Sequence, residues 1–211
     1  MSTWAVIVAA GQGTRFGGLK QYEVINGRRV LDWSLATARS SCDHVVLVVA
    51  PQQLDVEEPD ADLVVEGGAT RSDSVRAGLS VVPAEAEIIV VHDAARPFAT
   101  TALFNAVIDA VRAGADGAVP GIPVVDTIKR VNVATNEILE TLDRSSLVAV
   151  QTPQAFAASI LRQAHDKGGE ATDDASLVEQ SGGKIVVVTG ELENRKVTNR
   201  HDLELPSGTK R

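Results

Sequence analysis

Short apolar runs separated by helix-spaced segments constrain this chain more than any other feature. Residues 5–10, 45–49, 63–65 and 88–91 are continuous stretches of Val, Ile, Leu and Ala with no polar alternation. A strand with one face in water alternates, whereas a strand that reads apolar throughout is buried on both faces. Elsewhere apolar residues recur at helical spacing. They do so at Val30, Leu31, Leu35 and Ala38, at Val75, Gly78, Leu79 and Val82, and at Leu103, Ala106, Val107, Ala110 and Val111. Parallel strands with helices on both faces form a doubly wound α/β sheet. Such sheets bind ligands outside the carboxyl ends of their strands, so the loops that follow the apolar runs carry the functional argument.

The first run empties into Gly11-Gln12-Gly13-Thr14-Arg15-Phe16-Gly17-Gly18-Leu19-Lys20. Glycines let the backbone turn sharply and approach a ligand with no Cβ in the way. Successive N–H groups in such a turn suit phosphate oxygens, and Arg15 and Lys20 are spaced to reach the same phosphates. The dinucleotide fingerprint fails here, because its third glycine position is Phe16 and residues 45–50 run into Pro51 with no acidic residue. The ATPase loop also fails, since Gly18 is followed by Leu19 and then Lys20-Gln21. A nucleoside triphosphate site remains, beside the plainer reading of a strand-to-helix turn with solvated charges.

Two further loops complement the first. Residues 67–74 offer glycines and hydroxyls suited to a base edge, and residues 92–97 offer Asp93 for a cation or hydroxyl and Arg96 for an anion. Two loop cations and a carboxylate around a phosphate chain suit phosphoryl or nucleotidyl transfer with Mg²⁺. Asp93 also reads as a cap for the next helix, and Arg96 as a surface ion pair. His92 sits at a strand end and reads as a packing or locally bonded residue.

Composition excludes several classes. The net charge of −8 argues against a nucleic-acid scaffold but leaves room for a nucleotide substrate. Cys42 is the only cysteine, so there is no internal disulfide or cysteine-rich zinc cluster, and His44, His92, His165 and His201 lack metal-ligand spacing. No serine-nucleophile elbow is present. No apolar run approaches a membrane span, and Met1-Ser2-Thr3-Trp4 lacks the basic start of a signal peptide. The expectation is a cytoplasmic protein with no nucleic-acid or membrane partner, residues 1–211 forming one domain.

The alternation falters after Gly117. Residues 118–125 are apolar but contain Pro120 and Pro123, and residues 126–150 mix β-branched and charged residues around a turn-rich centre. This predicts a β-hairpin arm that leaves the sheet. A lone two-stranded ribbon is marginally stable, so it should dock on a second copy of the chain as a homodimer. Helices are expected near 157–165 and 172–180, with Gly182-Gly183 ending the second, followed by a strand at 184–189 and a frayed tail at 205–211.

Several motifs then fall into register. They are Ala9-Ala10-Gly11-Gln12-Gly13-Thr14-Arg15, Lys20-Gln21-Tyr22, Gly67-Gly68-x-x-Arg71-x-Asp73-Ser74-Val75 and Val91-His92-Asp93-Ala94-Ala95-Arg96-Pro97. Val125-Asp126-Thr127-Ile128-Lys129, Asp143-Arg144, Gln151-Thr152-Pro153-Gln154, Thr172-Asp173-Asp174-Ala175-Ser176 and Lys196-Val197-Thr198 continue the series. Together they resemble the 2-C-methyl-D-erythritol 4-phosphate cytidylyltransferases. Val8 and Leu19 stand where that family often carries proline, and Ala69 where some relatives carry aspartate.

The resemblance implies a Rossmann-like, mostly parallel sheet of the nucleotidyltransferase type. It implies transfer of CMP from CTP to a polyol phosphate, releasing pyrophosphate, in isoprenoid precursor synthesis. Mg²⁺ would be bound mainly through the CTP phosphates, with Asp93 an indirect contributor. Ala9, Ala10, Gly11, Gly13, Gly67, Gly68 and Ser74 would hold the nucleotide. Arg15, Lys20, Arg144 and Lys196 would be catalytic. Asp93, Ala94, Arg96, Thr127, Thr152 and Lys196 would line the acceptor pocket, with Arg144 reaching the acceptor phosphate from the neighbouring subunit. A ribitol 5-phosphate cytidylyltransferase and a non-catalytic nucleotide-binding subunit are the competing readings.

Overall fold

The computed structural model describes residues 2–13 and 16–203. β1 (Thr3–Val8) leads through the glycine loop to a small hairpin, β2 (Val24–Ile25) with β3 (Arg28–Arg29), and then to α1 (Val30–Ser41). β4 (His44–Val49) and β5 (Leu63–Glu66) precede α2 (Arg71–Val81), and β6 (Ile88–Asp93) precedes α3 (Thr101–Arg112). Next come β7 (Gly117–Pro123), β8 (Lys129–Val131), β9 (Ile138–Thr141), β10 (Val148–Val150) and β11 (Gln154–Ala157). α4 (Ala158–Asp166), α5 (Asp174–Gln180) and β12 (Ile185–Thr189) complete the regular elements.

The central sheet has eight strands, running β5-β4-β1-β6-β11-β7-β12, with β10 beyond β11 on the same edge of β7. Only β10 and β11 run antiparallel to the rest. From β1 the chain moves to β4 and β5 on one side, then crosses to β6 on the other. The switch point therefore lies between β1 and β6, where register sets Val8 beside both Asp93 and Val48.

The apolar runs in β1, β4 and β6 are buried because each face has its own helical cover. The run at 63–65, expected to be buried on both faces, is partly exposed in β5 because that strand lies at the sheet edge. Ala5 and Ile7 pack with Leu35, Leu47, Val90 and Phe104 beneath α1 and α3. Val6 packs with Val48, Val75, Leu79, Val91 and Leu161 beneath α2 and α4. Gly78 lets α2 lie close to the sheet, since a Cβ there would sit 2.5 Å from Val6 Cγ1. Thr70 and Asp73 form a reciprocal capping box at the start of α2, which fixes the helix end beside the cleft.

Pro120 does not interrupt β7. Its carbonyl accepts from Gln151 N at 2.8 Å, so its missing N–H faces the gap between Val150 and Gln154, where the partner strand is broken. The expected arm at 126–150 is shorter in the structure. Only β8 and β9 project as a two-stranded ribbon, while Val148–Val150 rejoins the main sheet as β10. Along the arm Val133 is 89% exposed, Ile138 65% and Leu139 61%. The expected tail at 205–211 lies outside the described residues. No helix among the described residues is long and apolar enough to cross a membrane.

Candidate active site

A cleft of about 420 Å³ opens at the carboxyl ends of β1 and β6, against the N-terminus of α2. Ala9, Ala10, Gly11 and Lys20 line it from the first loop, and Gly68 and Ser74 from the second. Asp93, Ala94 and Lys196 close the far side. Three loops far apart in sequence thus converge where a switch point would place a ligand.

Asp93 is the electrostatic centre. Lys196 Nζ donates to Asp93 Oδ2 at 2.6 Å, and Arg71 Nε donates to Asp93 Oδ1 at 3.2 Å. Burial alone would raise the carboxyl's pKa, but Arg71 and Lys196 outweigh it and hold Asp93 well below the usual carboxylate range. Arg71 stands within a sequence motif without an expected role, and the structure gives it one. It is the first residue of α2, where a cation opposes the helix dipole. It is accommodated because Asp174 meets its Nη1 at 2.9 Å while Asp93 meets its Nε. Asp174 is fully buried and accepts from His165 Nε2 at 3.0 Å. Charges therefore alternate from Lys196 through Asp93 and Arg71 to Asp174 in the core. A basic residue at the first position of a glycine-preceded helix was the sequence signal, since it needs acidic partners.

His92 is fully buried and burial pulls its pKa down to about 4. With the ring neutral, one tautomer satisfies both of its nitrogens: Nε2–H donates to the Arg96 carbonyl at 3.2 Å, and Nδ1 accepts from the Thr152 hydroxyl at 3.0 Å. Thr152 Oγ1 in turn accepts from Asp93 N at 3.0 Å. The expected local role of His92 holds. The Thr152 hydroxyl, expected at the acceptor pocket, is buried and spent on placing Asp93.

Lys20 Nζ donates to the Val197 carbonyl at 2.6 Å, so its ammonium lies against the residue that follows Lys196. The neighbouring Gln21 is buried and donates from Nε2 to the Ala9 carbonyl at 2.6 Å and the Gly11 carbonyl at 3.1 Å, stapling the loop to the turn that carries Lys20. Gly13 does not line the cleft. At φ +61° it makes the turn, and a Cβ would sit 1.9 Å from the Gly18 carbonyl oxygen. Arg15, expected to grip the triphosphate, lies outside the described residues.

Other expected residues stand off the cleft. Gly67 lies beneath its floor, where a Cβ would be 2.3 Å from Ala10 Cβ and 2.8 Å from Ser74 Oγ. Arg96 is half-buried behind the far wall and donates to the Asn194 carbonyl at 2.8 Å. Thr127 and Arg144 are exposed at the base of the arm, and Arg144 donates to the Val125 carbonyl. Within one chain the arm does not deliver Arg144 to the cleft.

The donor set does not suit a metal held directly by protein. Among the described residues no group of three or more His, Cys, Asp or Glu is placed to hold a metal ion. Both oxygens of Asp93 are already engaged by cations.

The doubly wound sheet, with a glycine-floored, lysine-lined cleft at its switch point, is the Rossmann-like α/β fold of the nucleotidyltransferase type. The family model described as IspD: 2-C-methyl-D-erythritol 4-phosphate cytidylyltransferase matches residues 3–207, and the chain belongs to that family. A relative of that name from Streptomyces coelicolor is 43% identical over 223 residues, covering 96% of this chain and 83% of the relative. A bifunctional enzyme IspD/IspF from Solidesulfovibrio magneticus is 40% identical over 225 residues, covering 96% of this chain and 56% of the relative. The chain thus spans about half the length of the bifunctional relatives it matches. The crystal structure of 2-C-methyl-D-erythritol 4-phosphate cytidylyltransferase from Thermus thermophilus superposes with a TM-score of 0.80 at 35% identity, covering 96% of each chain. The 4-diphosphocytidyl-2C-methyl-D-erythritol synthase of Anaerococcus prevotii gives 0.83 at 30% identity, covering 96% of this chain and 94% of that one.

Proposed function

We propose that this chain transfers CMP from CTP to 2-C-methyl-D-erythritol 4-phosphate, releasing pyrophosphate. The observation that carries the reading is the meeting of two lysines in one cleft: Lys20 Nζ rests on the Val197 carbonyl while the adjacent Lys196 is held on Asp93. An acceptor phosphate oxygen attacks the α-phosphorus, the bond from that phosphorus to the bridging oxygen breaks, and pyrophosphate leaves. Chemistry of this kind asks the protein for positioning and charge neutralisation. Lys20, with Arg15, meets the charge that develops on the triphosphate. Lys196, oriented by Asp93, neutralises the incoming acceptor phosphate. Ala9, Ala10, Gly11, Gly68 and Ser74 take the cytosine and ribose, and the packed floor at Gly67 leaves little depth for a purine.

Mg²⁺ would be held mainly by the triphosphate oxygens and water, where it would neutralise phosphate charge. The working unit is a cytoplasmic homodimer. The arm, whose apolar residues Val133, Ile138 and Leu139 are exposed, packs on a second copy and brings Thr127 and Arg144 to that copy's acceptor pocket. The test is pyrophosphate release with each of four nucleoside triphosphates against 2-C-methyl-D-erythritol 4-phosphate and ribitol 5-phosphate. Release with CTP and the erythritol phosphate alone supports the reading. Preference for ribitol 5-phosphate reassigns the acceptor, and comparable release with ATP overturns the base assignment.

A further inference from the structure

Residues 190–197 form neither helix nor strand, yet three cations of the cleft region are placed by them. Lys196 belongs to the segment, Lys20 Nζ rests on the Val197 carbonyl, and Arg96 Nη1 donates to the Asn194 carbonyl at 2.8 Å. Irregular backbone that holds charges in place needs another source of order. Here that source is two buried carboxamides. Gln151 acts toward the segment as a neighbouring strand would: its Nε2 donates to the Glu191 carbonyl at 2.8 Å, and its Oε1 accepts from Glu191 N at 3.1 Å. Asn194 is fully buried. Its Nδ2 donates to the Thr152 carbonyl at 2.9 Å and to Gln151 Oε1 at 3.3 Å, and its own carbonyl also accepts from Gln151 Nε2 at 3.2 Å. Beyond the pair, Val197 N donates to the Ala95 carbonyl at 2.8 Å, tying the segment to the loop that carries Asp93.

Asn194 Oδ1 is buried with no hydrogen-bond partner. An unsatisfied buried acceptor costs stability, so the side chain is not the best filling for its site. Local departures of this kind concentrate where placement matters more than stability. We propose that Asn194 and Gln151 are positioning residues for the transfer reaction, a carboxamide clamp that fixes residues 190–197 and thereby the charges of Lys20, Lys196 and Arg96. The inference rests on the function proposed above, because that reading makes those cations matter.

The test uses the full chain and two variants, Asn194→Ala and Gln151→Met, each measured in the wild-type and Lys196→Ala backgrounds. A residue that acts through Lys196 loses much of its effect once Lys196 is gone, whereas an independent structural residue gives additive losses. Asn194→Ala should lower kcat/KM for the acceptor by roughly 50-fold in the wild-type background and by less than about 10-fold beside Lys196→Ala. Equal losses in both backgrounds, or no loss in either, overturn the clamp. Gln151→Met should repeat the pattern and stands in if Asn194→Ala does not fold.

Amide hydrogen exchange supplies a readout that does not depend on activity. Exchange at Glu191 and Val197 should rise by about tenfold or more while the β1 amides stay unchanged. A rise spread evenly over the chain, or no rise at Val197, overturns the proposal. If the wild type transfers nothing from CTP, the functional reading fails, and exchange alone then decides whether the clamp exists.

Discussion

Lys196 Nζ donates to Asp93 Oδ2 at 2.6 Å, joining positions 103 residues apart and closing the far wall of the cleft. Asp93 also accepts from Arg71, so its removal would leave two cations facing each other in a largely buried site. Asp93→Asn should lower stability by about 2 kcal/mol, below the range for a fully buried pair because Lys196 is partly exposed. The folded carboxyl has a depressed pKa, so this contribution is complete above the unfolded carboxylate value of about 4 and fades as pH falls below it. Urea unfolding of wild type and Asp93→Asn should differ at pH 6 and converge toward pH 2.

His92 predicts a separate pH window. Its folded pKa is lowered from 6.5 to about 4 by burial, so the unfolded chain binds the extra proton first as pH falls. Stability should therefore decline between about pH 6.5 and 4, by roughly 3 kcal/mol if this group acts alone. His92→Gln should flatten the decline in that window and leave the fall below pH 4, where the unfolded chain's Asp93 takes up a proton that the folded carboxylate resists. Urea midpoints at pH 7, 6, 5 and 4 check it.

Gly67 tests the cleft floor. A Cβ would press on Ala10 Cβ and Ser74 Oγ, one from each of the first two loops. Gly67→Ala should cost about 1–3 kcal/mol through overpacking and raise KM for CTP more than KM for the acceptor. Equal changes in both constants would show that the floor does not belong to the nucleotide side.

The sheet and the site were unequally legible in the sequence. Continuous apolar runs at residues 45–49 and 88–91 marked strands buried on both faces, and both are fully interior in the sheet. The glycines of the first two loops marked the cleft. Pro120 was ambiguous because its tolerance depends on which edge of β7 meets a broken partner, a tertiary property. The chain from Arg71 to Asp174 and His165 was hidden because its members sit on α2, α5 and α4 and meet only after packing. Gln151 stood within one of the motifs, but its pairing with Asn194 was hidden for the same reason: carboxamides carry no periodicity, and 43 residues separate the two.

The arm carries Arg144 on an exposed surface, so its expected role requires a second copy. Lys20→Ala and Arg144→Ala subunits, each inactive alone, should regain about a quarter of the sites when mixed under exchange conditions with random pairing. In the mixed dimer one site then keeps Lys20 and receives an intact Arg144. No recovery, with subunit exchange confirmed by mass, would place Arg144 outside the neighbouring site.

The central claim is that the α-phosphate of CTP leaves this cleft on the acceptor. Single-turnover reactions with CTP labelled at the α-phosphate test it directly, in wild type and Lys20→Ala. The account predicts that label moves to 2-C-methyl-D-erythritol 4-phosphate with one pyrophosphate released per label transferred, and that Lys20→Ala slows the step by roughly 10²-fold. Label remaining in CDP or CMP without acceptor transfer, or a Lys20→Ala rate near wild type, would contradict it.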